Sequence, residues 1–328
     1  MKRSFLIFLA ILTLFSFGHA GAATVTFYTA GPPALANNVA KAFTAKSGIK
    51  VETYQATSGD LLARLEAEKS RPRADVVVLA SWGEGLTLRR QGMVEPHLSA
   101  EAAHMRAGWV DKGMVAQGGA ALAVVVNTAQ VPVSRQPKSW FDLTSPYWKN
   151  SVTMPDPTLS GSAAEFLAVL VETFGDKAWK LFRDLAENGL VVSGPNAAAL
   201  NPVLSGEKKA TLAAVDYVSY GQIAKGERLA ILYPAEGTAV ALRPVLVQKG
   251  APHLEEARQL VDFLLSKEGQ VPVAKAFLIP GHAGIRAERP LPGDFRMLTP
   301  NWDFLEKNQA QIVGRFRQEI VEQIIQKR

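Results

Sequence analysis

Residues 42–81 read AFTAKSGIKVETYQATSGDLLARLEAEKSRPRADVVVLAS, and their order decides the fold. A helix tail ends at Gly48, a glycine suited to a helix C-cap. IKVETYQA is a strand. TSGDLLARLEAEKS opens a second helix, with Thr57 or Ser58 as N-cap and Leu61, Leu62 and Leu65 inward. ADVVVLAS is a continuous apolar run, as expected of a strand covered on both faces. Just upstream, TVTFYTA (24–30) is a strand, and ALANNVAKAFTAKSG puts Leu35, Val39, Ala42 and Phe43 on one helix face. The β-α-β-α-β order predicts an α/β domain with a mostly parallel sheet flanked by helices.

The alternation continues downstream. AALAVVVNT (120–128) is a long buried strand, and VTMPDP leads through Ser160-Gly161-Ser162 into a helix that runs to about Phe174. DKAWKLFRDLAENG is amphipathic, with Trp179, Phe182 and Leu185 inward. Further strands and helices follow in VVSGPNAAALNPVLSG, KATLAAVDYVSYGQIAKG and LAILYPAEGTAVALRPVLVQKG. A helix pair and a C-terminal helix close the chain. No internal repeat and no low-complexity linker interrupts this order.

Residues 1–22 carry Lys2 and Arg3, an apolar core from Phe5 to Phe17 and the small residues Ala20-Gly21-Ala22, the pattern of a cleavable signal peptide. No cysteine stands at the cleavage point to take a lipid. The expected product is an exported, soluble chain of about 305 residues, long enough for two domains. The 328 residues contain no cysteine. Zinc-thiolate, iron–sulfur and cysteine-nucleophile chemistry are thereby excluded, and stability rests on the core. The formal charge of +6 becomes +4 without Lys2 and Arg3. There is no basic run of the kind nucleic acid needs, whereas a mild positive field suits a small anion.

In open α/β sheets ligands sit beyond the carboxyl ends of the strands. The residues there are Thr29 and Gly31, then Thr57 and Ser58, then Ser81 and Trp82, then Ser160, Gly161 and Ser162, then Ser193 and Asn196. Asp216, Tyr217 and Tyr220 follow a later strand, and Glu236 lies in a turn. Hydroxyl- and glycine-rich helix starts offer unsatisfied N–H donors and a partial positive charge, an anion cradle, although the same residues serve as ordinary N-caps. Asp216 and Glu236 suit general acid–base work, or hydrogen bonds from a ligand's amine or hydroxyls, or plain capping and turn roles. Tyr217 and Tyr220 are hard ligands for ferric ion, or cleft-lining side chains. Trp82 either stacks on a ligand or walls off the core. No nucleophile-elbow, HExxH or Walker A motif is present, and His97, His104, His253 and His282 read as surface residues.

Three stretches together resemble the periplasmic solute-binding proteins of ABC importers: residues 42–81, the leader, and YPAEGTAVALRPVLVQKGAPHLEEARQLVDFLLSKEGQ (233–270) with its Phe-Leu-x-Ser-x-x-Gly-Gln helix. The likeness is to the ferric-iron, 2-aminoethylphosphonate and sugar-phosphate subgroup. It implies a type II two-lobed fold with a two-strand hinge. Residues 24–118 with 236–284 would form one lobe, and 119–235 with 285–328 the other. It implies a monomer in the periplasm, without enzymatic activity or cofactor, serving an inner-membrane permease. Ferric binders of this type use adjacent tyrosines with a histidine and a glutamate. Here stand Asp216-Tyr217-Val218-Ser219-Tyr220, no histidine after the first strand, and Ala80-Ser81 after the third. The expected ligand is a small phosphorylated or phosphonate organic anion, with Ser58 and Ser160 to Ser162 as the clamp and Asp216 and Glu236 for an amine or hydroxyls. The alternatives are a ferric-binding protein using Tyr217 and Tyr220, and a secreted hydrolase using Asp216 and Glu236.

Overall fold

The structure is a computed structural model and describes residues 23–326 apart from residue 112. The expected signal peptide, residues 1–22, lies outside the described residues. In chain order the strands are β1 (Thr24–Thr29), β2 (Lys50–Gln55), β3 (Val76–Val78), β4 (Val94–Glu95), β5 (Val110–Asp111), β6 (Met114–Asn127), β7 (Val152–Pro155), β8 (Val191–Ser193), β9 (Ala210–Val215), β10 (Leu229–Leu232), β11 (Val240–Gln248) and β12 (Ile279–Pro280). The helices are α1 (Pro33–Ser47), α2 (Ser58–Ala67), α3 (Trp82–Arg90), α4 (Gly161–Phe174), α5 (Asp176–Glu187), α6 (Asn196–Leu204), α7 (Asp216–Ile223), α8 (Leu254–Leu265), α9 (Lys267–Lys275), α10 (Trp302–Phe316) and α11 (Glu322–Gln326).

The strands run in the order β2-β1-β3-β11-β6-β9-β7-β8. β2, β1 and β3 are parallel, as are β8, β7 and β9. Between the two parallel groups lie the antiparallel β11 and β6. β6 is the joint. From Met114 to Ala121 it pairs with β5, β12 and β11, and from Leu122 to Asn127 with β9 and β10. All its residues are buried. The chain returns from β10 to β11 through residues 233–239, and it crosses once more after β12, where α10 packs on α4.

The strand expected from Ala120 begins at Met114, upstream of Gly118 and Gly119. They are glycine for a tertiary reason. A Cβ on Gly118 would lie 2.9 Å from the Ile279 carbonyl oxygen, and one on Gly119 2.8 Å from the Trp109 ring. The strand predicted through ADVVVLAS is only Val76–Val78, and the unanticipated α3 begins immediately after, with two glycines diluting its helical pattern. One of the expected surface histidines is not at the surface. His282 is 3% exposed, its ring stacks on His104, and burial together with His104 pushes its pKa down.

Asp75, fully buried, fixes the first half of the molecule. Its carboxylate accepts from Thr26 N at 2.7 Å, and from His253 N and Nδ1 at 2.7 and 2.9 Å. It thereby ties β1 and the start of β3 to the approach to α8. Asp75→Ala leaves two backbone donors without their acceptor. Chemical denaturation is expected to show a loss of about 3 kcal/mol, with Asp75→Asn intermediate.

Candidate functional site

A cavity of about 290 Å³ lies where the helix starts of the two halves meet. Gly31, Thr57, Ser58, Ser160, Gly161, Asn196 and Tyr217 line it, together with Pro32, Pro33, Gln55 and Ala80. Besides α1, which begins at Pro33, four helices present their first turn here. Thr57 caps α2, its Oγ1 accepting from Asp60 N at 3.2 Å. That frees Ser58, whose Oγ accepts instead from Ala80 N at 3.0 Å. Ser160 caps α4 by accepting from Ala163 N at 3.3 Å, and its hydroxyl lies 3.1 Å from that of Ser162. Asn196 opens α6, and its Nδ2 donates to Ser162 Oγ at 3.3 Å while its buried Oδ1 has no partner. Tyr217 stands in the first turn of α7. The positive ends of α2, α4, α6 and α7 thus converge on one space.

The halves touch at the cavity's edge, where Gly59 N donates to the Leu159 carbonyl at 3.3 Å. Gly161 must lack a side chain. A Cβ there would lie 2.5 Å from Glu84 Oε2 and 2.7 Å from Ser58 Oγ. Beyond this contact is a second cavity of about 500 Å³, lined mainly by apolar groups such as Leu62, Leu88, Met93 and Val313.

The remaining predicted residues are placed elsewhere. Thr29, 2% exposed, lies beneath the cavity, its Oγ1 accepting from Gly31 N at 2.9 Å. Ser81 and Trp82 form the start of α3, and that start is already filled. Glu165, on α4, accepts from Ser81 Oγ at 2.8 Å, Trp82 N at 2.5 Å, Gly83 N at 3.4 Å and Leu242 N at 3.2 Å. Gln309 of α10 also donates to Ser81 Oγ, at 3.0 Å. The Trp82 ring packs in the core, 6.1 Å from that of Trp302, so it walls off the interior. Ser193 ends β8 and does not line the cavity.

Asp216, Tyr220 and Glu236 turn away from it as well. Asp216 forms a fully buried ion pair with Arg289 and accepts from Tyr233 Oη at 2.9 Å. Arg289 Nη2 donates to the same hydroxyl at 3.0 Å, and Tyr220 Oη lies 3.2 Å from it. Glu236 accepts from Ser139 Oγ. Neither Asp216 nor Glu236 lines the 290 Å³ cavity, and in this structure their carboxylates are engaged by these protein partners. Burial raises the Tyr217 and Tyr220 pKa values, in each case reinforced by the charge of Asp216.

Sequence reading overlooked four charged groups. Glu84 is pushed up to about 8 by burial and by Glu165, against a Ser58 hydrogen bond and Arg243. Glu165 is pushed up to about 7 by burial, against the donors already named. Arg289 holds Asp216. Arg243, on β11, is 2% exposed, and its Nε and Nη2 have no hydrogen-bond partner. A legible signal existed for two of them: Arg243 interrupts the apolar run AVALRPVLV, and Glu165 interrupts AAEFLAVLV. A charge inside a fully buried pattern needs a reason.

Comparison with known proteins bears on this geometry. The bacterial extracellular solute-binding protein family matches residues 74–308. A Haemophilus influenzae protein is 30% identical over 255 residues, 74% of this chain and 73% of its own. The major ferric iron-binding protein of Neisseria meningitidis serogroup B is 29% identical over 280 residues, 82% of this chain and 81% of its own. Among solved structures, the periplasmic binding protein AfuA of Actinobacillus pleuropneumoniae, with fructose-6-phosphate bound, superposes with a TM-score of 0.83 at 24% identity, covering 91% of this chain and 98% of that one. The fold is the type II two-lobed architecture. No helix among the described residues is long and apolar enough to cross a membrane. The chain therefore belongs to the bacterial extracellular solute-binding proteins, the periplasmic solute-capturing components of ABC importers, which are not enzymes.

Proposed function

We propose that this protein captures a small phosphorylated or phosphonate organic anion in the 290 Å³ cavity and presents it to an inner-membrane permease. The observation that carries the reading is the convergence of the α2, α4, α6 and α7 starts on one space lined by Asn196, whose buried Oδ1 has no partner. Helix starts and serine hydroxyls donate to oxyanion oxygens. Asn196 Oδ1 accepts from a hydroxyl or ammonium group on the organic part. A ligand touching α2 on one side and α4 and α6 on the other favours the closed arrangement, with β6 and residues 233–239 as the hinge between lobes of 24–118 with 236–284 and 119–235 with 285–328.

The ferric reading has the Neisseria relative in its favour. The cavity wall gives it little. Where the loop after β1 and the end of β3 enter, the chain supplies Gly31, Pro32, Pro33 and Ala80, none of which ligates iron. Tyr220 is engaged by Tyr233, and burial favours the protonated phenol over the phenolate at both tyrosines. Among the described residues no group of three or more His, Cys, Asp or Glu is placed to hold a metal.

A thermal-shift panel tests the reading. It holds 2-aminoethylphosphonate, hexose phosphates, glycerol phosphates, inorganic phosphate, sulfate and ferric citrate. A phosphonate or phosphate ester is expected to raise the melting temperature, since ligand at a hundredfold its Kd adds about 2.7 kcal/mol. Ser160→Ala and Asn196→Ala should each weaken binding about tenfold. A rise with ferric citrate alone would sink the proposal.

The buried acids give a check that needs no ligand. Glu84 titrates near 8 in the folded protein, against 4.5 for an ordinary glutamate. Between those values the folded state keeps a proton that the unfolded chain releases. Its contribution to stability is therefore full below about pH 4.5 and is lost as pH rises through about 8. Glu84→Gln removes this dependence. Measured across pH, the variant is expected to match wild type near pH 4 and to exceed it by about 1 kcal/mol or more near pH 9.

A further inference from the structure

We propose that Arg243 is the counter-ion for the bound ligand, and that it selects a tetrahedral phosphorus oxyanion presenting two oxygens side by side. The inference deepens, and rests on, the reading of the 290 Å³ cavity as an anion site.

Position comes first. Arg243 lies on β11 opposite Gly118, immediately before a bulge at Pro244, whose missing N–H breaks the ladder. The guanidinium is not itself part of the cavity lining; it lies behind Gly31, which is. A Cβ on Gly31 would sit 3.7 Å from Arg243 Nη2 and 3.0 Å from Thr29 Oγ1. Glycine at that position leaves open the space against the guanidinium, and Gly31 itself lines the cavity.

The second point is the absence of any partner. Arg243 is 98% buried, yet its Nε and Nη2 have no hydrogen-bond partner, and among the described residues it forms no ion pair. Arg289 is equally enclosed, and there the chain supplies both Asp216 and Tyr233. The ionisable groups nearest Arg243 are Tyr217 and Glu84. The Tyr217 phenol is neutral. The Glu84 carboxyl sits against Ser58 and Gly161, where burial favours its protonated form. Neither cancels the positive charge. A buried guanidinium without a counter-charge is among the most costly arrangements a protein interior holds, and binding an anion removes that cost.

The third point is the geometry of the two buried, unpartnered nitrogens. Nε and Nη2 share one edge of the guanidinium, and their N–H bonds run parallel. That edge takes two oxygens of one acidic group in a fork. A phosphate monoester or phosphonate supplies such a pair with up to two negative charges, leaving its remaining oxygen for the helix starts. A ferric ion at the same place is repelled.

The test uses the full mature chain as wild type, Arg243→Met, Arg243→Lys and Ser160→Ala. Two quantities are measured: the ligand-free melting temperature, and affinities by calorimetry for 2-aminoethylphosphonate, glucose 6-phosphate, glycerol 3-phosphate, citrate and ferric citrate. Arg243→Met is expected to melt higher than wild type without ligand, because it removes an unpaired charge, and to lose about 100-fold or more in affinity for the phosphorus ligand. Arg243→Lys keeps the charge without the fork and should lose about tenfold. A lower ligand-free melting temperature for Arg243→Met means the guanidinium is structural, and overturns the proposal. Full affinity in Arg243→Met alongside a loss in Ser160→Ala overturns it too, while the cavity reading stands. Binding of iron-free citrate alone, abolished by Arg243→Met, removes the phosphorus ligand and keeps Arg243 as counter-ion. A response to ferric citrate alone overturns both readings.

Discussion

The rest of the molecule depends on one strand. β6 runs without a break through both halves, buried along its whole length, and its ladder passes from β11 to β9 between Ala121 and Leu122. Because one strand serves two sheets, the parallel groups β2-β1-β3 and β8-β7-β9 stand on either side of a shared seam. The helix starts that follow those strands then meet across it. Gly118 and Gly119 are part of this constraint, since side chains there would collide with Ile279 and Trp109.

The convergence has an electrostatic consequence that the protein handles differently at different helices. At α3 the first-turn donors are satisfied internally, by Glu165 reaching over from α4. That arrangement shows what an anion does for a helix start in this interior: one carboxylate collects four donors. At α2, α4 and α6 the first turns face open space instead. The two most enclosed arginines show the same contrast. Arg289 is matched by Asp216, whereas Nε and Nη2 of the buried Arg243 have no partner. Sealed and open versions of the same chemistry thus lie side by side.

Much of this was legible from residue order. Alternating apolar runs and amphipathic segments gave the α/β class. The caps at Thr57 and Ser160 and the αL glycine at Gly48 were readable because capping is a local interaction between near neighbours. Gly31, Thr57, Ser58, Ser160, Gly161, Asn196 and Tyr217 were traceable because ligands gather beyond strand ends in such sheets. Less legible were α3, diluted by Gly83 and Gly85, and the start of β6 before Ala120, which includes two glycines.

Sequence alone therefore determined the class of fold and the set of helix starts from which the site is drawn. Both follow from periodicity and from interactions within a few residues. Which of those starts stay open was decided only in three dimensions. Ser81 and Ser160 look alike in sequence, but Glu165, 84 residues from Ser81, closes the one and leaves the other free. Asp216 follows a strand like the other candidates, and only the fold pairs it with Arg289, far along the chain. The charge of Arg243 reads only as an interruption in a strand, and its lack of a partner is a property of everything folded around it. Charges act through space, so whether a buried one is paired or waiting is settled by tertiary contacts.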